Sequence, residues 1–183
     1  MPVSLLKGAH ITERKFVELV TLFSEDLTAI QISNITQLSR ITINNYLKRF
    51  RERIAWYCAP AQVQTAIKNP WPVTYRYGII RHNQHFITVP VLEGADTVDQ
   101  PAFLAIADFS TWKLQRQPEL PLTKNRPVID ELSGFWGLSK NRLQKFRGLQ
   151  RSSVYLHVKE CEFRYNNRQV DLQALMIDLF LNS

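Results

Sequence analysis

Residues 39–54, Ser-Arg-Ile-Thr-Ile-Asn-Asn-Tyr-Leu-Lys-Arg-Phe-Arg-Glu-Arg-Ile, concentrate the side chains of this chain best suited to gripping a polyanion. Ile43, Leu47, Phe50 and Ile54 recur at spacings of four, three and four, so one face of a helix packs. Arg40, Asn44, Asn45, Lys48, Arg49, Arg51 and Arg53 fall mostly elsewhere and leave the other face basic and amide-rich. Guanidinium groups offer paired donors and carboxamides a donor beside an acceptor, which complements phosphates and base edges. Other chemistries are poorly supplied. His82 and His85 flank a turn with no third ligand, which falls short of a metal site. Cys58 and Cys161 make neither a disulfide framework nor a Cys-x-x-Cys knuckle, so both are expected as reduced, buried thiols. No glycine-rich phosphate loop and no Ser/His/Asp arrangement can be read.

The charge pattern agrees with an anionic partner. The net +7 divides into +3 over residues 1–58, zero over 59–123, +6 over 124–168 and −2 over 169–183. Two basic blocks flanking a neutral middle favour polyanions through counterion release. At 183 residues, 45% of them hydrophobic, the chain has enough apolar material for a packed core in one large or two small domains. Its longest apolar runs are broken by charge well short of the roughly 20 residues of a membrane span. The N-terminus lacks a basic flank followed by an apolar signal core. The expected setting is intracellular, without membrane.

The elements that must position these residues follow from periodicity and capping. Thr12 is placed to cap a first helix whose apolar residues recur through Phe23. Ala29, Ile32 and Ile35 suggest a short second helix, and Thr36-Gln37-Leu38 a tight break before Ser39, the N-cap of the basic helix. Ala59-Pro60 and Asn69-Pro-Trp-Pro72 predict a linker over 59–72, because proline removes a donor and biases its predecessor away from helix. Val73–Arg81 and His85–Val91 read as a hairpin, and Phe103–Asp108 as an apolar strand ending in an acid. The domains expected are 1–58, a linker at 59–72, and 73–183.

Short helix, tight turn and longer helix opening Ser-Arg-x-Thr-Ile-x-x-Tyr-Leu resemble the helix-turn-helix of transposases and resolvases. In that geometry Arg40, Thr42, Asn44 and Asn45 would read bases, and Lys48, Arg49, Arg51 and Arg53 would touch phosphates or stay in water. The other reading is a solvated helix in a small bundle.

Asp130-Glu-Leu-Ser-Gly-Phe-Trp-Gly-Leu-Ser-Lys-Asn-Arg-Leu and Val158-Lys-Glu-Cys-Glu-Phe-Arg-Tyr-Asn resemble the end of the catalytic domain of bacterial insertion-sequence transposases of the DDE superfamily, the ISXO-like group. That group closes its domain with Asn-Gly-Ile-Glu-Ser-Phe-Trp, a Lys-Arg-Arg-Leu helix and Leu-Lys-Glu-Cys-Glu-Phe-Arg-Phe-Asn. The resemblance implies an α+β chain: an N-terminal helix-turn-helix followed by a shortened ribonuclease-H-like mixed α/β domain. It also implies three acidic side chains holding Mg2+ for phosphoryl transfer. Asp108 falls on the second acid, although an Asp there equally starts a turn. Asp130 falls on the family's Asn and Ser133 on its Glu, leaving Asp130 and Glu131 close by. No acid occurs between Glu52 and Glu93, where the first is sought. Lys140 falls on the family's Lys, and Arg142, Lys145 and Arg147 continue a basic helix facing phosphates or solvent.

The expectation is therefore a sequence-specific binder of double-stranded DNA derived from such a transposase, without full catalytic activity, domesticated or regulatory, possible as a homodimer, and set by the resemblance in the bacterial cytoplasm, associated with the nucleoid. No cofactor is expected, and Mg2+ only with activity. One alternative is an active transposase drawing its missing acid from Glu93, Asp96 or Asp99. Another is a protein-interaction module or inhibitor whose basic faces meet an acidic protein partner.

Overall fold

The structure, a computed structural model, describes residue 5 and residues 10–68, 74–82, 85–94, 103–106, 113–115, 131–145 and 151–182. Six helices and four strands follow in the order α1 (Glu13–Ser24), α2 (Ala29–Thr36), α3 (Arg40–Lys68), β1 (Thr74–His82), β2 (His85–Gly94), β3 (Phe103–Ile106), β4 (Lys113–Gln115), α4 (Glu131–Gln144), α5 (Arg151–Asn166) and α6 (Leu172–Leu181). They form two compact units, one of residues 1–57 with 167–183 and one of residues 58–166.

The first unit is helical. Thr12 caps α1 by accepting from the Lys15 amide at 3.3 Å, which satisfies one of the four amides a helix start leaves open. Thr28 begins α2 in a capping box with Gln31, whose Oε1 accepts from the Thr28 amide at 2.8 Å. The inward stripes supply Phe16, Leu19, Val20 and Phe23 from α1, Ile32 from α2, and Ile43, Tyr46, Leu47, Phe50 and Ile54 from α3. The carboxy-terminal α6 adds Met176, Leu179 and Phe180. Phe50 is the hub: it stacks on Phe180 with ring centroids 4.6 Å apart, and meets Phe16 and Phe23 at 5.5 and 5.4 Å. Each fully buried ring is worth roughly 1.5–3 kcal/mol, and paired rings somewhat more. The Leu5 amide donates to the Phe180 carbonyl at 2.9 Å, and Gln173 Nε2 donates to Thr21 Oγ1 at 3.0 Å.

In the second unit β1 and β2 pair antiparallel from Thr74↔Glu93 to His82↔His85, β3 pairs antiparallel with β2, and β4 also pairs with β2. Val89 and Ile106 from this sheet join Phe135 and Trp136 of α4 and Val154, Val158 and Cys161 of α5 in one core.

Three expectations are corrected. The α+β reading with a ribonuclease-H-like mixed domain does not hold: the described residues are predominantly helical, and every strand pair among them is antiparallel. β1 and β2 pair as the expected hairpin, but no parallel pair, which would need a long crossover, occurs among the described residues. The segments that carry the transposase resemblance lie largely on helices α4 and α5, so their likeness bears on helix sequence and not on sheet topology. Next, residues 59–68 continue α3 where a linker was expected, even though Pro60 denies that helix one amide donor. Finally, residues 167–183 belong with the N-terminal unit, because its aromatic core is completed by Phe180. Asn69-Pro-Trp-Pro72 and Asp108 lie outside the described residues.

Candidate nucleic-acid interface

The turn between α2 and α3 has no glycine, and its hydrogen bonds replace what glycine would offer. Gln37 is left-handed (φ 60°) and its amide donates to the Ser33 carbonyl at 2.9 Å. Such a conformation costs a non-glycine residue roughly 1–2 kcal/mol. The Gln37 side chain offsets part of this by donating to the Asn34 carbonyl at 2.7 Å. Ser33 Oγ donates to the Leu38 carbonyl at 2.7 Å, and Thr36 Oγ1 to the Ile32 carbonyl at 2.8 Å, tying both sides of the turn to α2.

Ser39 then caps α3: its Oγ accepts from the Thr42 amide at 3.1 Å and lies 2.9 Å from Thr42 Oγ1. The Thr42 hydroxyl is therefore engaged in the cap, and the side chain is only half-exposed. At about 100° per residue, positions 41, 44, 45 and 48 share one sector of α3 that turns away from buried Ile43, Leu47 and Phe50, and position 40 stands at its edge in the first turn. Arg40, Asn44, Asn45 and Lys48 are all exposed there. Lys48 pairs with Glu52 at 3.8 Å, in a solvent-exposed pair worth well under 1 kcal/mol.

The other arginines of α3 turn inward. Arg49 donates to the Leu5 carbonyl at 3.1 Å and lies over the Tyr46 ring at 5.7 Å. Arg51 and Arg53 are buried, Arg51 over Phe23 at 5.5 Å and Arg53 over Trp56 at 6.0 Å. Arg51 thereby ties α3 to α1, whereas the Arg53 contact is within α3 itself; planar cations pack against ring faces. The expectation that Arg51 and Arg53 touch phosphates or stay in water is thus corrected.

Sequence reasoning missed Ile41. It is 76% exposed, the most exposed of the large apolar side chains among the described residues, and stands in the sector of Arg40, Asn44, Asn45 and Lys48. Its signal was present: an isoleucine out of phase with the 43, 47, 50, 54 stripe.

In the second unit Lys140 and Lys145 are exposed, whereas Arg142 is buried. Arg142 Nη2 donates to Glu160 Oε1, which also accepts from Arg164 Nε and Nη2 at 3.0 Å, and Arg142 Nη1 approaches Cys161 Sγ at 3.6 Å. Lys159, fully buried, donates to Glu162 Oε2 at 2.7 Å and to the Ile106 carbonyl at 2.9 Å, so one ammonium joins α5 to β3. Burial pushes the Glu162 carboxyl up to about 7, with Lys159 opposing. It also pushes the Cys58 and Cys161 thiols up, which keeps them protonated at neutral pH and poor nucleophiles. Arg142 was expected to face phosphates or solvent; its charge is instead taken up inside the unit.

Glu131 opens α4, while Asp108, Asp130 and Arg147 lie outside the described residues. Among the described residues no three His, Cys, Asp or Glu side chains are grouped to hold a metal ion. No helix among them is long and apolar enough to cross a membrane.

The chain is 31% identical over 82 residues to an uncharacterized transposase-like protein of Haemophilus influenzae (strain ATCC 51907 / DSM 11121 / KW20 / Rd), an alignment covering 45% of this chain and 65% of that protein. It thus spans slightly less than two thirds of that relative, and the match supports a transposase-related chain. No protein-family model and no solved structure matches it.

Proposed function

We propose that this chain binds double-stranded DNA sequence-specifically, with α2, its glycine-free turn and α3 acting as a helix-turn-helix derived from an insertion-sequence transposase. The observation that carries this is the outward sector of α3, where Arg40, Asn44, Asn45 and Lys48 stand exposed while Arg49, Arg51 and Arg53 are held to the protein's own rings and backbone. Arginine pairs with guanine and asparagine with adenine in the major groove, and Lys48 suits a phosphate. The likeness to a transposase-like protein supports the same reading. The chain binds without completing strand cleavage, a reading supported by the lack of any acid between Glu52 and Glu93.

Selection of bound duplexes from a random-sequence library tests the proposal, with wild type and an Arg40→Ala/Asn44→Ala variant at two salt concentrations. The expected result is an enriched motif that the variant loses and salt weakens. A palindromic motif would add a homodimer to the reading. Salt-sensitive binding with no motif would reduce it to phosphate affinity, and absence of binding would overturn it.

A further inference from the structure

We propose that Ile41 is a specificity-determining residue that recognises the 5-methyl group of a thymine. The inference rests on the reading of α3 as a major-groove helix and adds to it a contact made without hydrogen bonds. Three observations carry it. Ile41 is 76% exposed, beside Ile43 at 0%, so most of its apolar surface is left uncovered by the described residues. It stands one turn before Asn44 and Asn45 and two before Lys48, in the centre of the polar exposed sector. And Thr42, the other methyl-bearing side chain at this end of the helix, is only half-exposed and tied to Ser39 in the cap.

The chemistry is selective. Thymine is the only base whose major-groove edge carries a methyl group, and an apolar side chain is its natural contact. A β-branched residue on a helix is stiff at χ1, so Ile41 presents its methyl groups in a nearly fixed position. An exposed aliphatic group amid hydrogen-bonding residues thus separates an A·T pair from the same pair lacking the methyl.

The test uses the whole chain and the duplex selected above, with each thymine of the motif replaced in turn by deoxyuridine, which keeps pairing and removes only the methyl. Wild type should bind one substituted duplex about fourfold more weakly, the worth of one buried methyl group. Ile41→Ala should bind the thymine and uracil duplexes alike, and Ile41→Val should keep the preference. Asn44→Ala should weaken binding to both by the same factor. Indifference of wild type to uracil at every position, or an Ile41→Ala variant that still discriminates, would overturn the inference and leave DNA binding intact. Failure of wild type to bind any duplex would overturn both.

Discussion

Both basic stretches of this chain divide their cations between solvent and interior, and they differ in what takes up the inward ones: rings and backbone on α3, carboxylates on α4 and α5. On α3 the charge and amides of Arg40, Asn44, Asn45 and Lys48 stand in water, while on α4 and α5 Arg142, Lys159 and Arg164 are spent on Glu160 and Glu162. The stretch with the higher net charge, +6 over residues 124–168, thus commits several of its cations to holding its own unit together. Net charge measures how basic a segment is, not how much of it a partner can touch. A cation near a buried carboxylate gains a short ion pair in a low dielectric, whereas one on an outward sector gains nothing until a partner arrives.

The largest expected effect breaks the inward half of this contrast. Glu160→Ala leaves Arg142 and Arg164 without the carboxylate they share and should cost about 3–5 kcal/mol in denaturant unfolding. A near-neutral result would mean that these cations reach water. In the first unit Phe180→Ala should cost a similar 3–5 kcal/mol by removing the ring stacked on Phe50, and would show that the C-terminal helix completes the N-terminal core.

Glu162 gives the contrast a pH signature. Burial raises its pKa from 4.5 to about 7, so between those values the folded chain keeps a proton that the unfolded chain has released. Stability therefore falls as pH rises from about 4.5 to about 7, then levels off. Glu162→Gln should remove this dependence, and unfolding midpoints of both proteins from pH 4 to 8 would check it. Wild type and variant running parallel would place the Glu162 carboxyl in an ordinary environment.

The outward half is sharpened by smaller effects. Asn44→Ala should leave the melting temperature unchanged and cost about 1–3 kcal/mol in binding the selected duplex, read in a titration at fixed salt. Smallest is Ser39→Ala, which removes the α3 cap and should cost about 1 kcal/mol of stability.

Much of the first unit was legible beforehand. Thr12 and Ser39 cap the helices assigned to them, and Ile43, Leu47, Phe50 and Ile54 are buried as their spacing requires. The site was less legible. Arg40, Asn44, Asn45 and Lys48 are exposed where the helical period puts them, whereas Thr42 and Arg49 are engaged within the unit by neighbours that a hydrogen-bonding inventory does not see. Ile41 lies outside any inventory of donors and acceptors, because its exposed side chain offers only apolar surface.

By itself the sequence determined what repeats locally: helix starts, apolar stripes, the tight break at Thr36-Gln37-Leu38 and the placement of basic residues along the chain. These depend on interactions within a few residues, which spacing encodes. Only the tertiary structure decided that α6 belongs with α1–α3, that β3 and β4 both pair with β2, and which cations face inward. Those outcomes depend on partners distant in sequence: Phe180 for Phe50, Glu160 for Arg142 and the Ile106 carbonyl for Lys159. A side chain's type sets the bonds it can make, and the partner that folding brings within reach decides whether it is left for another molecule.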